Sequence, residues 1–143
     1  MGFDDTVTTE LTTSQCWELL RADEFGRLAF RMSDEVHLVP INYAVDGDTI
    51  LFRTAEGNKL LGVTMHPQVV FEIDAYDDAR AHSVIVRGLA RVLGEDEEHR
   101  AEHVPLRPWV DTPKYNVVEI VPTQITGRAF ELSRPWLHLR DGA

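Results

Sequence analysis

The stretch Phe52-Arg53-Thr54-Ala55-Glu56-Gly57-Asn58-Lys59-Leu60 gathers the residue types that hold a phosphate. Arg53 offers a planar fork of donors suited to phosphate oxygens. Thr54 adds a hydroxyl and Lys59 a mobile positive charge. If Lys59 opens a helix, that helix start adds free backbone N–H groups. Together they could neutralise a group of charge near −2. The surroundings make the cluster conspicuous, because 14 basic residues stand against 24 acidic ones, for a net charge of −10. Residue types alone leave open the plainer reading, an exposed Arg and Lys beside a hairpin.

Other candidate chemistry is weaker. His99-Arg100-Ala101-Glu102-His103 matches H-x-x-E-H, which on an α-helix would place two imidazoles on one face as zinc ligands. Its acidic flank, Glu95 to Glu98, and the short remainder of the chain favour a solvated charged helix, and no metal is expected. The single cysteine, Cys16, excludes an internal disulfide and a cysteine-only zinc site. Beside Trp17 in an apolar-periodic segment it reads as core filler. No G-x-S-x-G elbow, G-x-G-x-x-G or Walker loop occurs, and no nucleophile has an evident base. No catalytic side chain is therefore expected.

The elements that must carry these residues follow from periodicity. Thr12 and Gln15 form a capping box for a short amphipathic helix that ends near Asp23. From Gly26 the apolar period becomes two, which predicts strands at 26–31, Val36–Val45, Thr49–Thr54, Val69–Ile73 and Ser83–Leu93. Pro40 marks an edge, a bulge or a ligand-facing gap, and Asp46-Gly47-Asp48 a hairpin turn. Gly88 suggests a bulge. Residues 59–65 and 95–103 read as helices, and 104–113, around Trp109, as a loop. Tyr115–Ile120 and Ile125–Glu131 are two strands, or one broken at Val121-Pro122. Residues 1–10 read as a flexible acidic tail and 11–143 as one domain, a length able to bury a full core. The expected fold is mainly β with short helices, an antiparallel barrel or sandwich.

Net acidity and the lack of a basic stripe argue against nucleic acid. No apolar run reaches the ~20 residues that span a bilayer. The acidic N-terminus is not a secretory signal, and a cytoplasmic setting is expected.

Four segments carry a family resemblance: Gly26-Arg27-Leu28-Ala29-Phe30, Val39-Pro40-Ile41-Asn42-Tyr43, Phe52-Arg53-Thr54 with Gly57 and Lys59, and Ser83-Val84-Ile85-Val86-Arg87-Gly88. In order and spacing, from about Leu11 to Phe130, the chain resembles the pyridoxamine 5′-phosphate oxidase-like superfamily of FMN-binding split β-barrels. It is most similar to the small branch that includes flavin proteins linked to nitroimidazole resistance. The resemblance implies a homodimer with flavin at the subunit interface. Arg53, Thr54 and Lys59 would bind the FMN phosphate. Pro40, Ile41 and Asn42 would run along the isoalloxazine, Ser83 and Val84 would lie near the phosphate end, and Trp109 and Arg128 would come from the partner. It implies a flavin-dependent oxidoreductase acting on a small acceptor. A deazaflavin-dependent reductase and a non-catalytic flavin carrier or sensor are the alternatives. The tail Ser133-Arg134-Pro135-Trp136-Leu137-His138-Leu139-Arg140 lacks the ordered arginine–histidine pair of true pyridoxamine phosphate oxidases, so vitamin B6 oxidation is not expected.

Overall fold

A computed structural model of the chain describes residues 8–55, 58–106 and 116–132. Helix α1, Thr13–Ala22, starts at the expected capping box. Thr12 Oγ1 accepts from Gln15 N, while Gln15 Oε1 accepts from Thr12 N. Its inner face buries Cys16 and Leu20.

Eight strands follow the chain as β1 (Thr8–Glu10), β2 (Phe25–Met32), β3 (Glu35–Asn42), β4 (Ala44–Asp46), β5 (Thr49–Thr54), β6 (Gln68–Tyr76), β7 (Arg80–Val92) and β8 (Asn116–Glu131). They form one sheet in the order β3-β2-β6-β7-β8-β5-β4, with β1 also on β8, and every pairing is antiparallel. β3 approaches β5, so the sheet curls into an open, split barrel. Helix α2, Asn58–Met65, packs against β2 and β7.

Alternation decides which side chains fill the barrel. Leu28, Phe30, Phe71, Ile73, Val84, Val86, Phe52 and Ile120 point inward and are buried. Tyr43 closes one end. Its ring meets Phe71 edge-on, with centroids 4.8 Å apart, and its hydroxyl donates to the Leu20 carbonyl at 2.6 Å. Gly47 takes φ +62°, as the β4–β5 turn requires. Pro40 sits on an edge strand, as expected of a residue that cannot donate to a ladder.

Two expectations change, and one left open is decided. Thr8–Glu10, read as tail, instead pair with Arg128–Phe130, because β8 runs past β5 and leaves an edge free there; residues 1–7 lie outside the described residues. Of the two readings of Tyr115–Ile120 and Ile125–Glu131, the single long strand holds, as β8 continues through Val121-Pro122; Tyr115 lies outside the described residues. The bulge between Arg87 and Gly88 absorbs the irregularity opposite Pro122. The stretch read as a helix over 95–103 contains a 3-10 helix, Glu98–His103.

A second cluster lies on the outer face. Ala44, Leu51 and Val117 of the sheet are covered by Leu93, Ala101 and Leu106. Polar contacts tie this cover down. Arg100 Nε donates to Asp46 Oδ2 at 2.8 Å, and its Nη2 binds Glu119. Arg91 Nε donates to the other oxygen of Glu119 at 2.9 Å. Tertiary contact thus overrides helix periodicity here, because the segment is shaped to bring Arg100 onto β8. His99 and His103 stay exposed, with ring centroids 6.2 Å apart. No group of three His, Cys, Asp or Glu suited to a metal occurs among the described residues. His99→Ala with His103→Ala is therefore expected to leave stability and cofactor content unchanged. Stoichiometric zinc in the pure protein, lost in the double variant, would refute that.

Candidate functional site

The β4–β5 ladder pairs Ala44 with Leu51. Extended past Tyr43, the same register leads to Asn42 and Arg53. No such pair forms, because β3 turns away to pair with β2 from Asn42 to Glu35. The seam between β3 and β5 is where the barrel splits.

Side-chain alternation arms that seam. Asn42 lies across from Phe25 and points away from the core, whereas Ile41 points into it. Asn42 Nδ2 is buried and has no hydrogen-bond partner among the described residues. An unsatisfied buried amide costs roughly 1–3 kcal/mol, which a bound acceptor would recover. Across the seam, Arg53 is half-buried on the outer face beside Val117. Thr54 is 6% exposed and donates its hydroxyl to the Ala55 carbonyl at 3.1 Å. Lys59 lies in the first turn of α2; its side chain and Gly57 are outside the described residues. An arginine at a strand end, an unpartnered amide and a helix start are groups that suit a ligand with both a phosphate and a flat polar edge.

The remaining expected residues lie elsewhere. Ser83 faces outward directly opposite Arg128, near the far end of β8 from Val117. At 3.3 Å per residue that is on the order of 30 Å of strand. Val84 is fully buried, so only its backbone is available to a ligand. Trp109 lies outside the described residues.

One group escaped the sequence reading. Beside Pro40, the outer face carries Arg27, Glu72 and Asp74. Arg27 Nε donates to Glu72 Oε1 at 3.1 Å, and its Nη2 also reaches both carboxylates. Burial, reinforced by hydrogen bonding to Asp74 and its negative charge, pushes the Glu72 carboxyl up to about 7, with Arg27 opposing. Asp74 is held below its usual range, first by its hydrogen bond with Glu72 and then by Arg27. The signal was available as two acids at spacing two on one strand face, opposite an arginine. Because the folded pKa of Glu72 exceeds its unfolded value, folding is favoured below that unfolded value. This contribution is lost as pH rises through about 7. Carboxyl NMR of the wild type should show one resonance titrating near neutrality, and Glu72→Gln should remove it. If the variant keeps that titration, the assignment to Glu72 is wrong.

An open antiparallel barrel of this kind can carry many activities and does not by itself name one. Residues 12–129 match the family described as pyridoxamine 5′-phosphate oxidase, and the chain belongs to that family. An uncharacterised protein of Mycobacterium tuberculosis is 46% identical over 87 residues, spanning 60% of this chain and 79% of its own. The crystal structure of a candidate pyridoxamine 5′-phosphate oxidase from Corynebacterium glutamicum superposes with a TM-score of 0.80 at 42% identity, over 87% of this chain and 99% of that one. The FAD binding protein from Mycobacterium smegmatis gives a TM-score of 0.75 at 40% identity, over 87% of this chain and 100% of that one. Among the described residues no helix is long and apolar enough to cross a membrane.

Proposed function

We propose that this protein is a flavin-dependent oxidoreductase that binds FMN at the β3–β5 seam of a homodimer. The buried Asn42 amide nitrogen, without a hydrogen-bond partner among the described residues at the end of β3, is the observation that carries the reading; β3 there approaches β5, the strand that carries Arg53. The M. smegmatis relative, an FAD binding protein, supports a flavin. It also favours FAD as the second reading, since FAD contains the whole of FMN. A deazaflavin coenzyme is the third candidate.

Bound flavin supplies hydride or electron transfer to a small acceptor. The chain's own residues bind and orient it. Arg53 and the first turn of α2, with Lys59, hold the phosphate. Thr54, tied to the Ala55 carbonyl, fixes the end of β5 rather than projecting freely. Asn42 donates to the polar edge of the ring, and Pro40 leaves the strand edge without an N–H there. Glu72, held by Arg27 next to Pro40, stores a proton near neutrality. Two-fold symmetry would give each site Ser83 and Arg128 from the other subunit, which explains their distance from Arg53 within one chain. Trp109 of the partner would complete the cover. The cytoplasm, a reducing compartment, fits the lone buried thiol.

Purification tests this directly. A yellow protein absorbing near 450 nm, the usual flavin band, that turns over with a nicotinamide donor is the expected result. Yellow protein without turnover would make it a carrier or sensor. Sedimentation after flavin extraction should give a dimer. A stable monomer that rebinds FMN with native affinity would sink the shared site, and a colourless protein that takes up neither FMN nor FAD would sink the flavin assignment.

A further inference from the structure

The ladder between β2 and β6 contains only Arg27↔Glu72, Leu28↔Phe71 and Ala29↔Val70. Past Ala29 the two strands part, although β2 stays paired with β3 to Met32 and β6 stays paired with β7 to Gln68. A groove of about 600 Å³ opens between them. That volume lies within the range of small-molecule sites. Two core residues, Phe30 and Val69, reach its floor, and the exposed Val36 and Leu89 form its walls. Val36 is 72% and Leu89 45% exposed, so both side chains are free to meet an apolar occupant.

Two arginines line the same groove. Arg31 lies across the β2–β3 ladder from Val36. Arg87 precedes the bulge, whose backbone is held by Thr123 Oγ1 donating to the Arg87 carbonyl at 3.1 Å. Gly88 is required there, since a Cβ would stand 2.5 Å from the Val121 carbonyl oxygen. Bulges often re-aim a side chain next to a binding site. Neither Arg31 nor Arg87 has an ion pair or side-chain hydrogen bond among the described residues. Arg27 and Arg91 of the same sheet, and Arg100 of the 3-10 helix, all hold carboxylates. In a chain of net charge −10, two unpaired guanidiniums over apolar walls fit an occupant that brings its own anion and an apolar body.

We propose that this groove binds a small amphipathic carboxylic acid. Its carboxylate lies between Arg31 and Arg87, and its hydrocarbon lies on Phe30, Val36, Val69 and Leu89. Guanidinium forks suit a carboxylate, and the apolar floor adds burial that inorganic anions cannot use. The groove lies at the Arg31↔Val36 end of the β2–β3 ladder, while Asn42↔Phe25 lies at the other end. The acid and a ligand at the seam would therefore bind independently.

Calorimetric titration of the full chain, as purified, tests this with decanoate, 1-decanol and acetate. Decanoate should bind saturably, decanol about tenfold or more weakly, the scale of one lost charge-assisted hydrogen bond. Acetate should not bind. Arg31→Ala with Arg87→Ala should weaken decanoate about tenfold or more and leave decanol unchanged. Both arginines are exposed, so the fold should persist, and a melting curve checks it. Val36→Asp should abolish binding of both long-chain compounds. Equal affinity for decanoate and decanol, or undiminished decanoate binding by the double arginine variant, would overturn the proposal. So would a double variant that changes sedimentation mass but not decanoate affinity, which would make this face an interface between copies.

Discussion

Arg53→Ala is expected to weaken FMN binding by about 1.5–3 kcal/mol, the range for a hydrogen bond to a charged group. Affinity for riboflavin should hardly change, because the lost partner is the phosphate. Two effects combine in that loss. A bidentate guanidinium contact disappears, and the field at the seam becomes more negative in a chain that already carries −10. The fold should survive. Arg53 is only half-buried and lies at the end of β5, one pair from the close of its ladder with β8. Because the contact is electrostatic and half-exposed, added salt should narrow the gap between wild type and variant. Fluorescence titration with FMN, FAD and riboflavin at two ionic strengths measures all of this. If riboflavin binds the wild type as tightly as FMN, the phosphate is not recognised, and the seam is not the site described above.

Arg100→Ala is expected to destabilise the fold by about 2–4 kcal/mol, near the range for removing one partner of a buried ion pair. Glu119 is 4% exposed, and Arg100 shares it with Arg91. Arg100 also reaches Asp46 and Thr49, so its loss loosens the cover over Leu51 and Val117. Acidity should sharpen the effect. Burial alone would raise the Glu119 carboxyl, but hydrogen bonds from Arg100, Thr49 and Arg91, with the charge of Arg100, hold it below its ordinary value. The folded pKa is thus depressed. The stabilisation is complete above the unfolded value, near 4.3, and is lost as pH falls through the folded one. In Arg100→Ala burial keeps its full weight against fewer partners, so acid unfolding should begin at higher pH. Urea midpoints at neutral pH and in the acid range report both effects. A second variant, Arg100→Leu with Glu119→Leu, should recover much of the loss, because it removes the stranded charge as well. An Arg100→Ala midpoint equal to that of wild type would refute the role given to this network.

Much of this molecule is written locally. The capping box at Thr12 and Gln15, the Asp46-Gly47-Asp48 turn, the bulge at Gly88 and the period-two strands each depend on residues a few positions apart. Local sterics and hydrogen bonding decide them before any long-range contact forms. Arg53, Thr54 and Lys59 stand together in the sequence for the same reason, since a strand end and the following helix start are neighbours in the chain. What the sequence could not contain was register. The seam between Asn42 and Arg53 opens only because β3 turns away from β5 to pair with β2, and Ser83 faces Arg128 because of how β7 and β8 align. Glu119 gains one of its partners only because Arg100, inside an apparent metal motif, folds over it. Glu72 meets Arg27 only through the pairing of β6 with β2. The groove at Arg31 and Arg87 exists because the β2–β6 ladder stops after three pairs. Each of these features joins residues more than ten positions apart, so the tertiary fold, chiefly the pairing of strands across the sheet, decided them.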